Sequence, residues 1–369
     1  MQTLLAHEWL APAGGSENVF EHLMRVFPHS RKVCLWNDAP ERFSSEIEET
    51  WLAKTPLRRS KAFSLPFFAN AWSTVSLDDV DRVVVSSHAF AHRLAARGAN
   101  RGIKSFCYVH SPARYIWAPE FDDRGQGRLA RLGQSVYKRT DRQATSAEVS
   151  YAANSEFVRT RIRASWGQDS EVIYPPVEVA KIQTKADWRE CVSDEDELKR
   201  LEDLPHEFVL GASRLVEYKR LDTAIAVGDL LDLPVVIVGA GPDEARLREL
   251  ARAASVPVFF FGFASTAALY ALYQAASLLV FMAIEDFGIM PVEAMALGTP
   301  VLVNEVGGAR ESVDVVRGGE VSPDGDISIL ASQARKAMST DMRAVVSEVQ
   351  LFSSESFESN VLRWTGGSL

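Results

Sequence analysis

Short apolar runs alternate with amphipathic stretches along the whole chain. In the first half the runs fall at residues 2–6, 32–36, 82–87, 104–109 and 147–153, with a shorter one at 172–177. In the second half they fall at 208–212, 235–238, 258–261, 276–282 and 301–304. Each is too short for a buried helix and most are rich in Val, Leu, Ile or Phe, so they predict strands, the run at 172–177 being a short one that exits through Pro175-Pro176. Stretches with helical spacing lie between them, among them 18–26, 221–231, 353–364 and one starting at Glu156 under a Ser155 cap. Near-continuous apolar strands alternating with helices predict parallel sheets covered on both faces. Residues 185–205 break the rhythm with a dense run of charge, which predicts a solvated helix and loop between two domains. Ligands of such sheets bind at the carboxyl ends of the strands, so the residues placed there are the candidates for chemistry.

The richest of these places is 281–300. The run 276–282 ends at Ile284-Glu285-Asp286-Phe287-Gly288-Ile289, and a helix begins near Pro291, where a first turn tolerates proline. Gly298 closes that helix and Thr299-Pro300 leads into the next strand. Glu285 therefore stands at a strand end, Glu293 in the first turns of the helix, and Phe287, Gly288 and Ile289 beside the helix N-terminus. Such an N-terminus offers unpaired N–H donors to phosphate. A carboxylate accepting two hydrogen bonds can grip a vicinal diol. Spacing alone leaves two readings open: two carboxylates holding a sugar and a ribose, or a solvated Glu and a Glu favoured by the helix dipole.

The stretch E-D-F-G-x-x-P-x-E-A-M-A-x-G-x-P-V resembles the signature of glycosyltransferase family 4, whose members have the GT-B fold. Other segments extend the resemblance over nearly the whole chain. Gly14-Gly15-Ser16-Glu17 follows the first strand; it is a bare glycine turn on spacing, and resembles a family loop that faces the donor diphosphate. His110-Ser111-Pro112-Ala113-Arg114-Tyr115-Ile116-Trp117 is similar to a stretch of family members that often use GDP-sugars. Relatives commonly carry Asp after that Trp; Ala118-Pro119 follows here. Arg214 and Lys219 stand where the family keeps an Arg and a Lys on the donor diphosphate, chemistry that suits a forked guanidinium and a point-charge ammonium. Gly239-Ala240-Gly241-Pro242 resembles a family turn packed near the nucleotide, and Gly262-Phe263 a place where relatives contact the base.

The resemblance implies a GT-B α/β protein: two doubly wound, Rossmann-like parallel-sheet domains facing a cleft. The expected boundaries are 1–180 for an acceptor-side domain, 181–350 for a nucleotide-sugar domain, and 351–369 for a helix returning toward the first domain. It implies a retaining hexosyltransferase moving a sugar from a nucleotide-diphosphate sugar to a hydroxyl of a glycan or lipid-linked acceptor. GDP-mannose is the first choice of donor and a UDP-sugar the alternative. Glu285, His110, Arg214 and Lys219 are the expected catalytic residues. Gly14, Gly15, Gly239, Gly262, Phe263, Phe287, Gly288, Ile289 and Glu293 are the expected donor-binding ones. The leaving phosphate itself takes the acceptor proton in the family mechanism. No cofactor is expected, and no Asp-x-Asp stands at a strand end to suggest a metal. Two rivals are a GT-B phosphorylase, which needs lysine-bound pyridoxal phosphate on a longer chain, and a catalytically silent partner subunit that binds nucleotide or glycan.

Composition changes the picture in two places. The net charge of −9 argues against a nucleic-acid partner, and three scattered cysteines fit a reducing compartment. The start of the sequence lacks the basic-then-apolar order of a signal peptide and no apolar run is long enough to span a bilayer, so a cytoplasmic location is expected. The charge is unevenly spread: residues 51–170 hold roughly 19 Lys and Arg against 10 Asp and Glu. Within them Arg58, Arg59 and Lys61 precede Phe63, Phe67, Phe68 and Trp72. Cations beside aromatics suit peripheral docking on the inner face of the cell membrane; the same aromatic spacing also suits one buried helix face.

Overall fold

The computed structural model describes residues 2–43, 46–117, 128–323 and 325–367. Ala118-Pro119 lie outside them. The chain divides into two compact units: Met1–Pro176 together with Glu355–Leu369, and Val177–Ser354.

The first unit is built on β1 (Thr3–His7), β2 (Arg31–Cys34), β3 (Ile47–Glu49), β4 (Arg82–Ser87), β5 (Lys104–Val109), β6 (Val149–Ala153) and β7 (Glu171–Val172). Among the described residues these form one sheet in the order β3-β2-β1-β4-β5-β6-β7, every pair parallel. All of β1 and all of β4 are buried, as strands covered by helices on both faces must be. Strand order reverses between β1 and β4, which makes their carboxyl ends the switch point of the sheet.

The second unit repeats the plan with β8 (Val209–Ala212), β9 (Val235–Val238), β10 (Val258–Gly262), β11 (Leu278–Phe281), β12 (Val301–Asn304) and β13 (Gly319–Ser322). Their order is β10-β9-β8-β11-β12-β13, again all parallel, and the reversal falls between β8 and β11. Among the described residues no helix is long and apolar enough to cross a membrane.

Two strands escape the apolar pattern. β3 (Ile-Glu-Glu) and β13 (Gly-Glu-Val-Ser) lie at sheet edges, where solvent reaches one side and a continuous apolar run is not required. The charged stretch 185–205 is largely exposed and carries the helix Glu195–Glu202, as expected, but it belongs to the second unit and does not connect the two. Trp188 is buried against Tyr270, with ring centroids 4.9 Å apart, and its indole N–H donates to the Ile182 carbonyl at 2.8 Å. Glu197 is buried and accepts both the backbone N–H and the hydroxyl of Ser265 at 2.6 Å. Two anchors hidden in a charged run thus fasten it to the second unit.

The helix Ser354–Trp364 carries the chain back into the first unit's core. Phe357, Val361 and Trp364 join Leu5, Phe20, Val84 and Tyr108 there, and the Trp364 indole N–H donates to Ser150 Oγ at 2.9 Å. Removing a buried tryptophan leaves a cavity and a lost hydrogen bond, which together cost about 3–5 kcal/mol. Trp364→Ala is expected to lower the urea midpoint of the first unit's transition by a corresponding amount. An unchanged midpoint would show that this helix does not support the first sheet.

Candidate functional site

The second unit assembles its candidate residues at its switch point. β8 delivers Ser213 and Arg214, then a single 3-10 turn, Glu217–Lys219, and Arg220 with φ 54° caps the helix Leu221–Leu231. β11, the spatial neighbour of β8, delivers the loop carrying Glu285. Residues 66 positions apart in sequence therefore end side by side: the Lys219 ammonium bonds Glu285 Oε1, both side chains largely shielded from solvent. Tyr218 touches both cations. Its hydroxyl accepts from Arg214 Nη2 at 2.7 Å, and its ring lies 5.3 Å from Lys219 Nζ. Sequence reasoning missed Tyr218, since nothing in the spacing around Arg214 and Lys219 marks it out.

The loop after β11 is held by backbone contacts. The Gly308 N–H donates to the Glu285 carbonyl at 2.8 Å. Gly288, with φ 93°, occupies the left-handed region and opens the helix Ile289–Ala296; a side chain there would be strained and would collide with Ala309. Phe287 is buried against Phe352, ring centroids 5.6 Å apart, so its side chain packs into the core of the second unit. Glu293 points its carboxylate at Tyr270, which donates its hydroxyl at 3.2 Å. Burial raises the Glu293 pKa to about 7, the Tyr270 hydrogen bond only partly opposing the shift.

Gly239 follows β9 with φ 127° and lies so close to the Ser213 carbonyl that a methyl group would overlap it. Its N–H donates to the Gly262 carbonyl at 2.8 Å, joining the ends of β9 and β10. Phe263, just beyond, is 78% exposed, a free aromatic face on the same edge of the sheet.

In the first unit, Gly14 and Gly15 open the helix Gly15–Val26 after β1. Glu17 folds back over them, accepting from the Ala11 N–H at 3.2 Å and the Ser16 hydroxyl at 2.8 Å. His110 follows β5, its N–H donating to the Ser87 carbonyl at 2.8 Å. It sits in a cluster of imidazoles: His7 and His88 have ring centroids 6.3 Å and 6.1 Å from it. Burial, aided by the charge His88 would carry, pulls the His110 pKa down to about 3. His7 is pulled well below its usual range for the same reasons. Beside them the buried carboxylate of Glu8 accepts from the N–H groups of His88, Ala89 and Ala91 at 3.2, 2.9 and 2.8 Å and from the Ser87 hydroxyl at 3.1 Å, so it caps the turn after β4. Among the described residues, His7, Glu8 and His88 are the group whose ligand atoms approach metal-binding spacing. The hydrogen bonds already on Glu8 commit that carboxylate to the turn. His7, Glu8, Ser86 and His88 were invisible as a cluster in the sequence, because only the parallel pairing of β1 with β4 joins residues about 80 positions apart.

Both units resemble known proteins. Residues 13–181 match Glycosyltransferase Family 4, and residues 192–348 match the glycosyl transferases group 1 family. An uncharacterized glycosyltransferase of Methanocaldococcus jannaschii is 31% identical over 150 residues, covering 39% of this chain and 38% of that protein. The O-antigen chain mannosyltransferase C of Escherichia coli is 28% identical over 223 residues, covering 58% and 56%. The chain thus matches less than two thirds of the length of these curated relatives. The crystal structure of the HepE protein of Anabaena in complex with UDP superposes with a TM-score of 0.70 at 18% identity, covering 98% of this chain and 99% of that one. WaaG, a glycosyltransferase of lipopolysaccharide biosynthesis, superposes at 0.69 with 17% identity, covering 99% and 100%. The chain therefore has the GT-B fold, with its first half similar to Glycosyltransferase Family 4 and its second half similar to the glycosyl transferases group 1 family.

Proposed function

We propose that the chain is a retaining hexosyltransferase that moves mannose from GDP-mannose to a hydroxyl of a glycan or lipid-linked acceptor. The observation that carries this reading is the Lys219–Glu285 contact beside Arg214, at the switch point of the second sheet. The partial match to an O-antigen mannosyltransferase supports mannose as the sugar. Donor binding exchanges the Lys219–Glu285 contact for two new ones: the ammonium goes to the diphosphate and the carboxylate to sugar hydroxyls. Arg214 adds a forked donor to the phosphate oxygens, and the amides at the start of the helix Ile289–Ala296 add a partial positive charge. Fixed cations and dipoles aimed at the leaving group are the largest lever available to such a reaction, so the scheme assigns no work to a metal ion or other cofactor. Glu293 holds the ribose diol. The departing phosphate accepts the acceptor's proton.

The acceptor reading brings in the first unit's surface. Phe63 is 75% exposed and Phe67 41%, whereas Phe68 and Trp72 are buried, so the aromatic run divides between solvent and core. Arg58 is paired with Asp38, and the exposed Lys61 holds its ammonium over the Trp9 ring, 4.2 Å from the centroid; Arg59 is exposed close by in the chain. Basic side chains next to outward phenylalanines suit an anionic lipid surface carrying the acceptor.

A thermal-shift panel tests the donor assignment. GDP-mannose is expected to raise the melting temperature and UDP-sugars to leave it unmoved, since only a ligand of the folded state stabilises. Arg214→Ala and Lys219→Ala are each expected to weaken that rise and to cut turnover roughly 100- to 1,000-fold. Near-normal kcat/KM in both variants would contradict the phosphate assignment.

Glu293 gives a pH signature. A carboxylate grips a diol only when ionised, and its folded pKa is raised to about 7, so GDP-mannose affinity should be lost as pH falls through that value. Titration by calorimetry is expected to show tighter binding at about pH 8 than at about pH 6, with the difference abolished in Glu293→Gln. A pH-independent affinity in the wild type would remove Glu293 from the ribose.

Co-sedimentation with liposomes tests the acceptor surface. Binding is expected on vesicles containing anionic lipid, to weaken with salt, and to fall in Arg59→Glu/Lys61→Glu and in Phe63→Ser. Indifference to anionic vesicles would favour a soluble acceptor.

A further inference from the structure

One hydroxyl links two of the imidazoles. Ser86 Oγ lies 3.0 Å from His7 Nδ1 and 2.8 Å from His110 Nε2. The sheet enforces this: His7 and Ser86 are register partners on β1 and β4, and His110 leaves β5, the next strand. Among the described residues the two ring nitrogens are the hydrogen-bond partners of Ser86 Oγ, so its single proton goes to one ring and it accepts from the other. The direction fixes the tautomer of both.

His7 decides between the two directions. It is fully buried, stacked on Phe20 with ring centroids 5.2 Å apart, and its Nε2 has no hydrogen-bond partner. If Ser86 donated to His7, the His7 proton would sit on Nε2 as a buried donor with no acceptor. If His7 Nδ1–H donates to Ser86, Nε2 is left with a bare lone pair. Orphaned buried N–H donors are rarer in proteins than under-satisfied acceptors, so the second direction is favoured. Ser86 then passes its own proton toward His110 Nε2.

We propose that Ser86 is a positioning residue that, backed by His7, holds His110 as the tautomer protonated on Nδ1. His110 Nε2 is occupied as an acceptor, and the ring stays neutral among buried neighbours. It is therefore neither the base that takes the acceptor's proton nor an acid that protonates the leaving group. Its Nδ1–H is left to donate to an oxygen of a ligand bound at this edge of the first sheet. This consequence rests on the transferase reading above, whereas the tautomer itself does not.

The experiment is long-range proton–nitrogen NMR of the full chain labelled with 15N-histidine, with His110 assigned by its absence in His110→Gln. The expected spectrum shows a neutral His110 with a protonated Nδ1 and an unprotonated Nε2 at neutral pH. Ser86→Ala is expected to abolish that preference and Ser86→Thr to restore it. A His110 protonated on Nε2, a His110 imidazolium at neutral pH, or a Ser86→Ala spectrum identical to the wild type would overturn the proposal. The wild-type spectrum alone reads the tautomer, so the test stands even where a variant does not fold. In turnover, Ser86→Ala should lower kcat about tenfold or more while donor KM stays within about twofold, and Ser86→Thr should recover most of the loss. An equal fall in Ser86→Thr would indicate a packing role instead. Absence of donor turnover in the wild type would sink the transferase reading and leave the tautomer assignment intact.

Discussion

A carboxylate and an ammonium shielded from water must be paired, and here the pairing depends on strand order. Glu285 and Lys219 meet because β8 and β11 are neighbours in the sheet while the chain between them runs out to β9 and β10 and back. A parallel sheet that reverses its order leaves a gap at the reversal, with two loops diverging from it. The second unit places a cation-bearing turn on one loop and a carboxylate plus a helix N-terminus on the other. The pair is worth little as a stabiliser, since each ion gives up hydration to form it. Its value on the proposed reading is that both members are already oriented, and that a diphosphate offers Lys219 more charge than Glu285 does.

The first unit uses the same device for different chemistry. At the reversal between β1 and β4 it places imidazoles and a capped carboxylate instead of cations. Burial keeps His7 and His110 neutral, so beside the capped Glu8 carboxylate these two rings present oriented hydrogen-bonding groups with no charge of their own.

Much of the fold was legible because buried parallel strands must be apolar on both faces, and runs such as Val-Val-Val at 83–85 have no other comfortable home. Edge strands were not, because solvent relaxes that demand, as Ile47–Glu49 and Gly319–Ser322 show. The charged stretch at 185–205 misled for a related reason: composition reports the exposed face, while Trp188 and Glu197 do the attaching. Glu285 at a strand end and Glu293 on the helix that follows could be placed by counting. Phe287 could not be oriented by counting, and it turned into the core. The His7, Ser86 and His110 network needed strand order, which no local pattern encodes.

The most direct measurement is donor turnover followed by proton NMR at the anomeric centre. GDP-mannose supplied with an acceptor sugar or lipid-linked glycan should release GDP and yield a mannoside with the anomeric configuration of the donor, and Glu285→Gln should slow that release. An inverted product would contradict the retaining mechanism. Turnover unaffected by Glu285→Gln would contradict the central claim, that the Lys219–Glu285 pair is the resting form of the donor site.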